Sequence, residues 1–173
     1  MEISPKLVTT LKSWARVETP VRLFHGCRSG DQGVDVGART LIGNKWFSQY
    51  PHYAGQYAWN MSALGTPVRA TVHLRAAVSA VECPAELRGV KFVEFLADCF
   101  PQVPPTYALS RHFQDVLRSH LLLAFGGSVH AYLSHGGNEV LLPACEEWIV
   151  DCEFMTLPPT KDEYMAQGGL VPL

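Results

Sequence analysis

The sequence has no run of lysine or arginine: 14 basic residues are scattered among 16 acidic ones, for a formal net charge of -2. A protein that holds nucleic acid by neutralising phosphates needs a basic patch, so direct DNA binding is not expected. Long apolar runs are also missing. The longest plainly apolar stretch, Leu121 to Phe125, is far too short to span a bilayer, and no membrane segment is expected. The opening Met1-Glu2-Ile3-Ser4-Pro5 lacks the basic and apolar regions of a secretory signal. The expected location is therefore the cytoplasm, or a host or target cell into which the protein is secreted or injected without a cleavable signal. Cysteine is present but unpatterned. Cys27, Cys83, Cys99, Cys145 and Cys152 are odd in number and include no CxxC pair, which disfavours a zinc site or a disulfide framework and predicts free, buried thiols.

What is present points to a globular protein. Apolar residues make up 47% of the 173 and charged residues 17%, with four Trp, six Tyr and eight Phe to fill a core or a stacking pocket. The length fits a single domain, 1–173. Ser4-Pro5 reads as an N-cap and first helical position, opening a helix over 4–16. Val21 to His25 reads as a strand stopped by Gly26, followed by a loop over 26–45 with five glycines. Lys45 to Ser48 reads as a strand, and Pro51 opens a helix through Tyr57 and Met61 to about Leu64. Residues 68–81 alternate as one long strand, with Val68, Ala70, Val72 and Leu74 on one face. Helices follow near 85–99 and 106–124, the second with Leu109, Phe113, Val116, Leu117 and Leu121 at helical spacing and Gly126-Gly127 as its stop. The rest reads as strands over 129–133, 139–142 and 148–155, then a loose tail from about 158. The class is α+β.

Three patches carry chemistry. Leu23-Phe24-His25-Gly26-Cys27 delivers a histidine to a glycine; the imidazole can bond a sugar hydroxyl and glycine permits close approach to the backbone. Trp46 and Tyr57 are separated by ten residues across a strand–helix junction, a spacing that can fold two rings into a slot for a flat heteroaromatic. Glu139 follows Gly136-Gly137-Asn138 and opens the apolar run Val140-Leu141-Leu142, and a carboxylate at the mouth of a buried strand needs a partner or a purpose. Each has a plain structural alternative: a strand-end histidine, two core rings, a surface glutamate.

In this order the three resemble the ADP-ribosyltransferase superfamily, closest to its His-Tyr-Glu branch of diphtheria-type toxins and poly(ADP-ribose) polymerases. The resemblance spans roughly residues 21–143. It implies a split, bent β-sandwich of about six to eight strands with flanking helices. It implies an enzyme that cleaves the nicotinamide–ribose bond of NAD+ and transfers one ADP-ribose to a macromolecular acceptor, expected to be a protein. NAD+ is then the cosubstrate, and no metal is called for. Glu139 would stabilise the ribosyl cation and His25 would bind the adenosine ribose. The Gly26 backbone would hold the nicotinamide amide, Trp46 and Tyr57 would sandwich the ring, and Ser48 would orient Glu139. Arg28 and Arg39 are candidates for the pyrophosphate.

Some residues depart from the pattern. Trp46 stands where the branch has tyrosine. Phe47-Ser48-Gln49 resembles the Ser-Thr-Ser strand of the arginine-modifying branch, but His25 stands where that branch has arginine. Gly137 stands where arginine-specific members place Glu or Gln. Arginine modification is disfavoured accordingly. His52, His73, His112, His120, His130 and His135 show no ligand spacing; of these, His135 lies in the loop that presents the acceptor in this family. A compact chain without accessory modules suggests a bacterial effector or toxin, a virulence factor, over a nuclear polymerase. Three alternatives stay open: an NAD+ glycohydrolase toxin with water as acceptor, a non-catalytic relative binding ADP-ribose or a protein, and an unrelated α+β domain.

Overall fold

The computed structural model describes residues 2–59, 64–104, 111–134, 136 and 138–168, without the side chains of Arg111 and His112. The expected continuations of the second helix through Met61 and of the fourth from 106 through Leu109, together with His135 and Gly137, lie outside the described residues. The class is mixed α+β, with ten strands in three sheets and five α-helices among the described residues. The chain divides into two compact units, each assembled from two separate stretches.

The first unit comprises Met1–Thr19 and Val78–Leu141. Helix α1 (Pro5–Lys12) is shorter than expected, because Ser4 makes no side-chain cap and the chain leaves the helix at Ser13 to form β1 (Arg16–Glu18). β1 pairs antiparallel with β7 (Ser79–Glu82), and β7 pairs parallel with β8 (Ala131–Ser134). A parallel pair needs a long crossover, and residues 83–130 supply it with helices α3 (Val90–Cys99) and α4 (Arg111–Leu121). α3 begins later than residue 85 because Pro84 to Leu87 form a turn first. α4 runs on as a 3-10 turn and stops at Gly126, whose φ of 59° is the left-handed cap that glycine favours. β8 then turns back onto β9 (Glu139–Leu142), pairing Ser134 with Glu139. Trp14, Leu11, Phe92, Leu96, Phe100, Leu117 and Tyr132 form the buried interior of this unit.

The second unit comprises Pro20–Ala77 and Leu142–Leu173. Its three-stranded antiparallel sheet has the order β10-β6-β2, from β2 (Arg22–Arg28), β6 (Pro67–Leu74) and β10 (Ile149–Thr156). Val68, Ala70, Val72 and Leu74 are buried, as their alternation predicts. The single long strand expected over 68–81 is two, however. Alternation carries on past Leu74, but the chain bends at 75–76, 77–78 belong to no strand, and the chain passes there from the second unit to the first. β2 is likewise not stopped by Gly26; it runs two residues further and pairs with β6 throughout, Gly26 opposite Arg69. β3 (Val34–Asp35) and β4 (Thr40–Leu41) form a small hairpin within the glycine-rich stretch. β5 (Lys45–Phe47) leads to α2 (Pro51–Gly55), opened by proline at its first position and continued as a 3-10 turn over Gln56–Trp59.

The tail from 158, expected to be loose, carries α5 (Lys161–Gln167). Thr160 and Glu163 form a reciprocal capping box, and Tyr164 packs with Ala58 and Leu157. All five cysteines are free and buried, and burial raises each thiol, Cys27 and Cys145 to about 12, so they behave as small apolar groups.

Candidate functional site

In the second unit, β2 positions His25 and Gly26. Phe24 and Ser48 exchange both backbone hydrogen bonds, at 2.8 and 2.9 Å, in an isolated antiparallel bridge that joins β2 to the end of β5. Alternate residues of a strand present their N–H and C=O to the same side. The amide and carbonyl of Gly26 therefore face the β5 side too, one step beyond the last rung. Two neighbouring groups of this kind, one donor and one acceptor, complement a primary carboxamide.

His25 is fixed at the same place. Its Nδ1 lies 2.6 Å from the Trp46 carbonyl, and its ring packs against Phe47 at 5.6 Å. A carbonyl only accepts, so Nδ1 carries the proton and the neutral ring keeps Nε2 as an acceptor suited to a hydroxyl. Desolvation lowers the pKa to about 4, against the partly compensating hydrogen bond to Trp46, so the ring is neutral at ordinary pH.

The other face of β2 explains why residue 26 is glycine. α2 and its 3-10 turn pack on β2. A Cβ on Gly26 would stand 2.1 Å from the Ala54 carbonyl oxygen and 3.2 Å from the Ala58 nitrogen. Glycine permits close approach here, as the sequence suggests, but the group that approaches its α-carbon is the protein's own helix. The Gly26 amide and carbonyl lie on the β5 edge of the strand, not on that face.

The aromatic pair is anchored on the elements flanking β2. Trp46, on β5, is partly buried and its carbonyl holds His25. Tyr57, in the 3-10 turn, donates its hydroxyl to that of Tyr53 at 2.9 Å, with the rings edge-on at 5.5 Å. Ser48 is buried and its hydroxyl accepts the Tyr50 N–H at 3.0 Å, which shapes the turn into α2.

Glu139 belongs to the first unit, at the first residue of β9. The Ser134 hydroxyl, across the β8–β9 pair, donates to its Oε2 at 3.0 Å. The resemblance assigns the orientation of this carboxylate to Ser48; Ser134 is a partner that the sequence did not single out. β8 and β9 pair antiparallel with Ser134 opposite Glu139.

The arginine candidates have structural employment. Arg28 donates to the Gly65 carbonyl at 3.0 Å, though its buried Nε makes no hydrogen bond. Arg39, in the left-handed region with φ 58°, donates to the Cys152 carbonyl at 2.8 Å and pairs with Asp151 and Glu153 at 3.3 and 3.1 Å. Its guanidinium is thus engaged by β10 while remaining about half exposed. The exposed Glu146 carboxylate accepts the Gly43 N–H at 2.7 Å. Of the remaining histidines, His73 lies 3.7 Å from Asp151 and His120 bonds the Val116 carbonyl.

Each unit also holds a shallow concavity. One of about 490 Å³ lies between β4 and β10, beside Ile42 and Val150. Another of about 510 Å³ is lined by Trp14, Glu82, Cys83, Glu86 and Gly136. Neither includes His25, Gly26, Trp46, Tyr57 or Glu139. No protein-family model, curated protein or solved structure matches the chain.

Proposed function

We propose that this chain is a mono-ADP-ribosyltransferase with the split β-sandwich of that superfamily, using NAD+ as donor and a protein as acceptor. The observation that supports this most is the β2 edge: a neutral His25 with Nε2 as acceptor, next to a Gly26 amide and carbonyl that run past the last rung with β5. In this reading the Gly26 groups bond the nicotinamide carboxamide. His25 Nε2 accepts from a hydroxyl of the adenosine ribose, and Trp46 and Tyr57 stack on the nicotinamide ring. Arg28, with its buried unbonded Nε, and the half-exposed Arg39 are the candidates for the pyrophosphate.

Glu139 carries the chemistry. The bond between nicotinamide and ribose C1′ breaks with its electron pair going to the nicotinamide nitrogen. Neutral nicotinamide departs and positive charge is left on the ribose. A carboxylate bonded to the ribose 2′-hydroxyl stabilises that charge more in the transition state than in bound NAD+, which is the condition for catalysis. Ser134 holds the carboxylate in orientation. The acceptor's nucleophile then bonds to C1′ and gives up its proton.

Incubating the protein and a cell lysate with NAD+ labelled in the adenine moiety tests the reading. Transferase activity releases nicotinamide and leaves label on lysate protein, which mass spectrometry assigns to modified residues. Nicotinamide release without bound label would instead make the protein a glycohydrolase, and no release would remove the enzymatic reading.

A further inference from the structure

The segment that carries Tyr57 is tied at both ends to residues 157–168. At its N-terminal end the rings of Tyr164 and His52 stack, 4.6 Å apart with planes 16° from parallel. The Tyr164 hydroxyl donates to the carbonyls of Pro51, at 3.3 Å, and His52, at 3.1 Å. The charge of the Arg69 guanidinium, opposite Gly26 in the sheet, partly offsets the burial that raises the pKa of this hydroxyl. At the C-terminal end Trp59 donates its indole N–H to the Pro159 carbonyl at 3.1 Å, and Ala58 packs against Leu157 and Tyr164.

Two glycines make room for these ties. A Cβ on Gly55 would stand 2.1 Å from the Tyr164 hydroxyl, and one on Gly168 would stand 1.8 Å from Cε1 of His52. Between the ties lie Ala54, whose carbonyl rests on Gly26, and Tyr57. α2 has five residues, and its N-cap residue Tyr50 makes no side-chain cap. A helix of that length does not hold itself in place in water. Its position must come from what packs on it.

We propose that α5 is a clamp that fixes the Ala54–Tyr57 segment against β2, with Tyr164 as a positioning residue for nucleotide binding. The inference rests on the NAD+ reading above. Tyr164 acts through α2: releasing the segment lowers the fraction of molecules with Tyr57 in place, and the apparent dissociation constant rises by the inverse of that fraction.

Tyr164→Phe removes the hydroxyl and keeps the ring. Gly55→Ala leaves Tyr164 intact but occupies the space its hydroxyl needs. Both are compared with the unaltered protein for KM and kcat of nicotinamide release, and for hydrogen exchange at the amides of residues 53–58. The loss of one or two hydrogen bonds predicts a KM for NAD+ raised about 3- to 10-fold with kcat within about twofold, and faster exchange at those amides. Unchanged exchange in Tyr164→Phe overturns the clamp, whether or not the protein uses NAD+. Faster exchange with an unchanged KM, or a fall in kcat at constant KM, overturns its role in binding. Absence of nicotinamide release from the unaltered protein would defeat the NAD+ reading alone, leaving exchange to judge the clamp.

Discussion

The β2–α2 junction and the β8–β9 hairpin carry the two halves of the proposed chemistry in different ways. At the junction nearly every functional group also has a structural task. His25 bonds the Trp46 carbonyl, Gly26 lies under the Ala54 carbonyl, and Ser48 bridges to Phe24 and holds Tyr50. At the hairpin, Glu139 stands at a strand end with the Ser134 hydroxyl on its carboxylate. Substitutions at the junction should therefore disturb fold and binding together, whereas substitutions at the hairpin should disturb chemistry with little effect on stability.

Gly26→Ala is the sharpest way to break that contrast. Its Cβ overlaps a backbone carbonyl that moves only if α2 moves, so we expect a loss of about 2–4 kcal/mol in denaturant unfolding, together with lost NAD+ binding. An alanine variant of normal stability would mean that α2 yields easily and that the junction is not over-determined.

The pH dependence of stability comes next. With a folded pKa of about 4 against a usual 6.5, His25 contributes no slope above pH 6.5. Between those values the unfolded chain takes up a proton that the folded one refuses, so stability falls as pH falls and levels off below about 4. His25→Gln should flatten this slope when denaturation midpoints at neutral pH and near pH 5 are compared. An equal slope in both proteins would show that the imidazole is not held neutral.

Smaller effects are expected from the aromatic and hydroxyl groups. Tyr57→Ala should weaken NAD+ binding by about 1–3 kcal/mol, the value of one stacking face, while Trp46→Tyr should change it little in calorimetric titration. The reverse ranking would misplace the nicotinamide. Ser134→Ala should slow nicotinamide release about tenfold through loss of a hydrogen bond to a charged group, with the melting temperature nearly unchanged. A loss of stability without a change in rate would make Ser134 a purely structural hairpin residue.

The pattern of buried and exposed residues was legible wherever local periodicity and tertiary position agree, as in the alternation of β6 and at Leu117 and Leu121 of α4. It misled where a local pattern continues through a change of partner. Alternation runs on from Leu74 toward Val81 although the chain bends at 75–76, and Gly26 reads as a stop although glycine there serves helix packing. Pro158-Pro159 suggested a frayed end, but Thr160-Lys161-Asp162-Glu163 is a capping-box sequence and announced α5. At the candidate residues the elements were readable and the side-chain partners were not: Arg39 pairs with Asp151 and Glu153, and the Ser134 hydroxyl reaches Glu139, because strand register sets both.

The central claim is that one carboxylate, Glu139, carries the transition-state charge. Glu139→Gln keeps the shape and an acceptor for Ser134 but removes the negative charge. Glu147→Gln is the control: Glu147 is exposed, whereas Glu146 is tied to Gly43. The measurement is the rate of nicotinamide release at saturating NAD+, with the dissociation constant of NAD+ taken alongside. The account predicts a fall of about 10²–10³ in rate for Glu139→Gln, with affinity and melting temperature little changed and Glu147→Gln fully active. Full activity in Glu139→Gln would contradict it.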